Sequence, residues 1–164
     1  MNDPDTTALW QVWREAAMRE RVDAALRELY DRLDATVRAR GPTCWMSGRC
    51  CNFDAYGHRL YVTGLEIAWL LNHRGAWDEA GQTMLDAGGC PFQINRLCTV
   101  HALRPLGCRV FFCQEGTEAW QQDVYEQFLN ELRTLHETHD LPYRYMEWRD
   151  GLRSAAATLI RTSP

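Results

Sequence analysis

A mainly α fold follows from three features of the sequence. Apolar residues recur at helical spacing near both ends, the cysteine-bearing middle lacks such spacing, and strand-like alternation is almost absent. The expected architecture is a set of helices flanking an irregular, cysteine-rich, metal-binding core with at most one or two short strands. The 164 residues fit a single domain, long enough to bury a hydrophobic core without disulfides. Within residues 1–164 the cysteine core spans about 44–113, and the helical flanks cover 7–40 and 117–160.

The first flank reads as one long amphipathic helix. Leu9, Val12, Trp13, Ala16, Val22, Ala25, Leu26, Leu29, Leu33 and Val37 recur at roughly helical spacing with charges between them. Gly41 and Pro42 end it, the first as a cap and the second as a breaker. After the cysteine stretch "CWMSGRCCNF", the segment "HRLYVT" alternates briefly and predicts one strand. Thr63 and Glu66 have capping-box spacing, so a helix is expected from Gly64 to about Arg74, closed by Gly75. A shorter helix is expected over Trp77 to Ala87, stopping at Gly88 and Gly89. From Cys90 to Cys113 there are two prolines and no amphipathic stripe. Thr117 then caps a helix to about His139, with Trp120, Val124, Phe128, Leu132 and Leu135 on one face. Pro142 breaks it, and a last helix is expected from Tyr145 to Ile160 with Gly151 as a weak point. Trp10, Trp13, Trp69, Trp77, Trp120 and Trp148 fall on helical faces and read as core, whereas Trp45 beside Cys44 reads as a solvent shield for a site.

Charge and hydropathy exclude several classes of function. Net charge is −4 with a pI near 5.7, and arginines interleave with acids, so nucleic acid is not an expected partner. The longest apolar run, "IAWLL", is far too short for a membrane span, and "MNDPDTTALW" has no signal-peptide character. The expected setting is the cytoplasm, where thiols stay reduced. An odd count of seven cysteines also argues against a closed disulfide framework.

All seven cysteines fall between residues 44 and 113. Cys44, Cys50 and Cys51 form a C-x5-C-C group, and Cys90, Cys98, Cys108 and Cys113 follow at irregular intervals. No C-x-x-C occurs, which argues against a thioredoxin-like dithiol. Thiolate ligation of a metal gives the clustering a physical cause, since Zn²⁺ and iron–sulfur clusters both take four thiolates and loops deliver them. Structural zinc contributes about 10–16 kcal/mol of apparent folding free energy, enough to order an irregular segment. Adjacent side chains of an extended segment point to opposite faces, so Cys50 and Cys51 are expected to split, either serving two metals or clusters or, the favoured arrangement, placing one thiol on the metal and the other in the core. Arg104 and Arg109, in "LRPLGCR", are expected to offset the negative charge of such a centre and to donate hydrogen bonds to sulfur. His101, three residues after Cys98, suits a nitrogen ligand or an outer donor, and His58 equally a surface residue. His136 and His139 share a helix face and read as solvent-facing.

In order and combination these motifs resemble the YkgJ-like, C-x2-C-x2-C-C family of cysteine-cluster domains, described as zinc- or iron-chelating. The matching pieces are Cys44, Cys50 and Cys51, then "VTGLEIAWLL", "GGCPF", "LCTV", and "RPLGCR" with Arg104, Pro105, Cys108 and Arg109. The resemblance covers about residues 44–113 and none of the helical flanks. Ser47 stands where the family pattern has its second cysteine, giving C-x2-S-x2-C-C. A serine hydroxyl is a poor ligand at neutral pH, which makes one centre a better expectation than two, with Cys113 as the compensating thiol.

The expected function is therefore a cytoplasmic metal-binding cysteine-cluster protein. The first expectation is one [4Fe–4S] cluster serving redox, sensing or cluster-supported catalysis, with ligands drawn from Cys44, Cys50, Cys51, Cys90, Cys98, Cys108 and Cys113. The alternative is Zn²⁺ in a structural domain acting as a protein-interaction module. Expected partners are a protein or a small molecule, with no nucleic acid and no membrane. No residue presents itself as catalytic, because no cysteine–histidine pair is singled out.

Overall fold

The computed structural model describes residues 4–41, 49–112 and 114–159. The first flank is two helices, α1 (Pro4–Ala17) and α2 (Glu20–Arg40), where the apolar pattern predicts one. The chain turns at Met18 and Arg19 through short bonds from Met18 N–H to Glu15 O and from Arg19 N–H to Ala16 O. Arg19 is extended, without a side-chain cap, and Met18 is exposed. The two halves bury their apolar faces against different partners, so the helix has to break although neither glycine nor proline marks the place. Val12, assigned to the buried face by periodicity, is exposed.

α4 (Gly64–Arg74) is the central helix, and α1 and α8 (Trp148–Leu159) pack against it. Its N-terminus carries the expected capping box: Glu66 N–H donates to Thr63 Oγ1, and Thr63 N–H donates to Glu66 Oε2. Trp10 Nε1–H donates to Ser154 Oγ at 2.8 Å, and Trp13 Nε1–H donates to Pro142 O at 2.9 Å. α2 forms a second group with α6 (Leu106–Val110) and α7 (Glu118–Thr138). Trp69 Nε1–H donates to Asp23 Oδ1 at 2.7 Å and so ties α4 to α2. Trp10, Trp13, Trp69 and Trp148 are buried in one continuous core, as the helical spacing predicts, while Trp77 and Trp120 sit half-buried at its edge.

Gly151 acts as a packing requirement. A Cβ there would collide with Ile67 of α4 and with Met146, so its lack of a side chain lets α8 approach α4 closely. α5 (Glu79–Asp86) starts at Asp78, whose carboxylate accepts from Gly81 N–H at 2.9 Å.

The strand content exceeds the expected one or two. β1 (Tyr61–Thr63) pairs antiparallel with β4 (Tyr145–Glu147), and β2 (Gln93–Ile94) pairs with β3 (Leu97–Cys98). Residues 145–147, expected as helix, are thus extended, and α8 begins only at Trp148. Asn95 and Arg96 close the β2–β3 hairpin with φ of 50° and 66°, the left-handed pair of a type I′ turn. The Cys90–Cys113 segment is therefore less irregular than its periodicity suggests, since it also contains the short helix α6. No described helix is long and apolar enough to cross a membrane.

Candidate metal centre

Four separate segments deliver the described cysteines. Cys50 and Cys51 lie in a single 3-10 turn (Arg49–Cys51), Cys90 follows α5, Cys98 is in β3 and Cys108 is in α6. Two of these segments are stitched by backbone, since Cys90 N–H donates to Cys51 O at 2.9 Å. The same turn runs into α3 (Phe53–Tyr56), where Asp54 is held by Arg149 Nη1 at 2.6 Å. Arg149 also bonds Glu147 Oε1 and Gly88 O, which fixes the thiol-bearing turn to α8 and to the loop after α5. Gly88 has a φ of 84°, and a Cβ on it would run into the Asp54 carboxylate.

The sulfurs of Cys50 and Cys51 stand 3.9 Å apart. The expected split to opposite faces is therefore corrected: a 3-10 turn, unlike an extended strand, directs neighbouring thiols to the same side. The Cys90 thiol lies near enough to Cys51 to raise its pKa. A direct hydrogen bond to Cys51, then burial, pushes the Cys50 thiol far up. For Cys51 the bond from Cys50 acts downward, but the Cys90 thiol, burial and the nearby Cys98 outweigh it, and its pKa is pushed up to about 12. Burial raises Cys98, with Cys50 adding to the effect, and burial raises Cys108 well above the usual thiol range, reinforced by Cys51, Cys50 and Cys98. Each of these thiols is thus held protonated by lost hydration and by its neighbours. A cation among them would reverse that balance, since a coordinated thiol is deprotonated outright.

The two arginines divide their work. Arg104 faces the thiols: its charge acts downward on Cys50, Cys98 and Cys108, and its Nη1–H donates to Cys108 O at 3.0 Å. Its hydrogen bonds go to the Cys108 and His101 carbonyls, in place of the expected bond to sulfur. Arg109 is a buried brace. It pairs with Asp34 at 2.8 Å, donates to the Arg104 and Ala102 carbonyls, and lies over the Tyr30 ring at 4.1 Å.

His101 is exposed, with its pKa lowered first by burial and then by the charges of Arg104 and Arg109. His58, also exposed, bonds the Cys50 carbonyl through Nε2 at 3.1 Å. His136 overturns the solvent-facing expectation: it is 1 % exposed, and Nδ1 bonds Pro142 O at 3.1 Å. Cys44, Trp45, Ser47 and Cys113 lie outside the described residues. Among the described residues, no group of three or more His, Cys, Asp or Glu side chains stands in a metal-holding arrangement.

Glu66 is the residue whose part the sequence only half reveals. It is 3 % exposed, and its carboxylate accepts from Leu106 N–H at 2.8 Å and from Tyr30 O–H at 3.1 Å as well as from Thr63. The capping box signals a helix start; nothing local signals that Glu66 also holds the first residue of the helix carrying Cys108.

No family model, curated protein or solved structure matches the chain.

Proposed function

We propose that this chain is a metal-binding cysteine-cluster protein of the cytoplasm with a single thiolate centre, and that the centre is one [4Fe–4S] cluster. Up to four thiolates, drawn from Cys50, Cys51, Cys90, Cys98 and Cys108 together with Cys44 and Cys113, would hold it. One observation carries this reading: Cys50, Cys51, Cys98 and Cys108, from three separate segments, each have their ionisation suppressed by burial and by neighbouring thiols, and a fourth segment is tied to them by the Cys90 N–H bond to Cys51 O. Packing accounts for part of this gathering, since Cys90 is buried in the core and Cys51, Cys98 and Cys108 pack against it, but not for the exposed Cys50 beside them.

The donor set is sulfur, which suits iron–sulfur clusters and zinc and disfavours hard cations. The irregular intervals between donors favour a cluster, because zinc ribbons repeat C-x2–4-C pairs. When bound, a cluster supplies one-electron redox chemistry and, at an iron without a thiolate, an open coordination position. The chain's own residues do the rest: Arg104 offsets negative charge, Glu66 positions α6, and Arg149 holds the Cys50–Cys51 turn through Asp54.

A second reading, structural zinc in an interaction module, is favoured by the 3.9 Å spacing of the Cys50 and Cys51 sulfurs. Tetrahedral zinc with bonds of about 2.3 Å places two sulfurs about 3.8 Å apart.

Anaerobic purification with an absorption spectrum and metal analysis tests both. A brown protein that bleaches in air supports the cluster. A colourless protein with stoichiometric zinc refutes the cluster and supports zinc. A folded chain that takes up neither metal refutes the centre itself.

A further inference from the structure

We propose that the pocket beside the thiol cluster is a binding site for a small apolar carboxylic acid, bound as its carboxylate. The metal-centre reading bears on this only in what the ligand is placed against. The pocket has a volume of about 430 Å³, within the span of about 300–1,000 Å³ usual for small-molecule sites. Phe53, Leu60, Phe111 and Phe112 supply an apolar wall, and Phe111 is 41 % exposed at this surface. Leaving so large a ring in water is unfavourable unless something covers it, and a flat apolar body in the pocket would do so.

Charge selects the polar end of the ligand. The lining contains Arg49, His58 and Arg59 and no carboxylate, although the chain as a whole carries a net charge of −4. The two arginines bordering an apolar wall in an acidic protein favour an anion over a neutral or cationic ligand. Arg59 is exposed and makes no ion pair among the described residues, so its guanidinium can close on a carboxylate with two parallel hydrogen bonds. His58 is anchored to the Cys50 carbonyl, which ties the border to the thiol-bearing turn. Cys50 and Cys108 themselves form part of the lining, so the bound acid lies against sulfur of the centre. The site therefore sets a substrate class for whatever chemistry the centre performs.

The test is calorimetric titration of the chain, purified anaerobically with its metal content measured, with benzoate, 2-naphthoate and octanoate, each beside its neutral amide. At least one acid should bind about 10-fold more tightly than its amide, the difference a charge-assisted contact supplies. Arg59→Gln should remove most of that difference and leave amide binding unchanged, while Phe111→Ala should weaken acid and amide alike. Failure of every probe to bind the folded chain overturns the proposal. Equal binding of acid and amide, or a preference that survives Arg59→Gln, overturns it as well. Acid-selective binding by a chain that takes up no metal would refute the metal centre and leave the pocket standing.

Discussion

Glu66→Ala removes a carboxylate on which two helices converge. Its Oε1 accepts from Leu106 N–H and Tyr30 O–H, and its Oε2 from Thr63 N–H and Thr63 Oγ1. At 3 % exposure, no bulk water replaces it. Two buried donors left unpaired cost about 1–3 kcal/mol each, and losing the capping arrangement costs about 0.5–2 kcal/mol. Recovered desolvation of the carboxylate offsets part of this, so the expected loss is about 3–5 kcal/mol, a large share of the stability of a domain. Guanidinium unfolding followed by circular dichroism measures it. Glu66→Gln, which keeps one acceptor oxygen, should lose about half as much. Burial, opposed by the bonds from Leu106 and Thr63, raises the Glu66 pKa from 4.5. A carboxyl with a raised folded-state pKa contributes stability that is full below the unfolded value and is lost as pH rises through the folded one. The advantage of wild type over Glu66→Gln should therefore shrink as pH climbs from about 4.5. A loss below about 1 kcal/mol for Glu66→Ala would refute the role assigned to this carboxylate.

Two further perturbations test the frame around the site. His136 is buried with Nε2 unpartnered, and burial lowers its pKa from 6.5, so the folded state resists protonation. Stability should fall as pH drops from 6.5 toward the lower folded value, and His136→Leu should flatten that slope in urea midpoints taken at intervals across it. Gly151→Ala should cost about 1–3 kcal/mol in thermal or denaturant unfolding, because the new methyl group has to displace Ile67 or Met146.

The elements legible in the sequence are those whose cause is local. The capping box at Thr63–Glu66 and the stripe of Val124, Phe128 and Leu132 need only neighbouring residues to be read. The break between α1 and α2 escapes, because it arises from two faces finding different partners, and Met18–Arg19 carries no breaker. The β2–β3 hairpin escapes because Asn95 and Arg96 close strands of two residues each, too short for any period to show. Cysteine clustering is visible as spacing, but the turn that brings the Cys50 and Cys51 sulfurs to one side is not. The division between Arg104 and Arg109 depends on Asp34 and Tyr30, which lie on α2, far away in sequence. His136 looks like a polar residue on a surface helix until the Pro142 carbonyl is seen opposite it.

The most direct test of a single shared thiolate centre is the metal content of Cys51→Ser, Cys98→Ser and Cys108→Ser, each purified anaerobically and checked for folding by circular dichroism. One centre built from these segments predicts that every variant loses its metal, iron or zinc, as a unit. Full occupancy retained in any one of the three folded variants would contradict it.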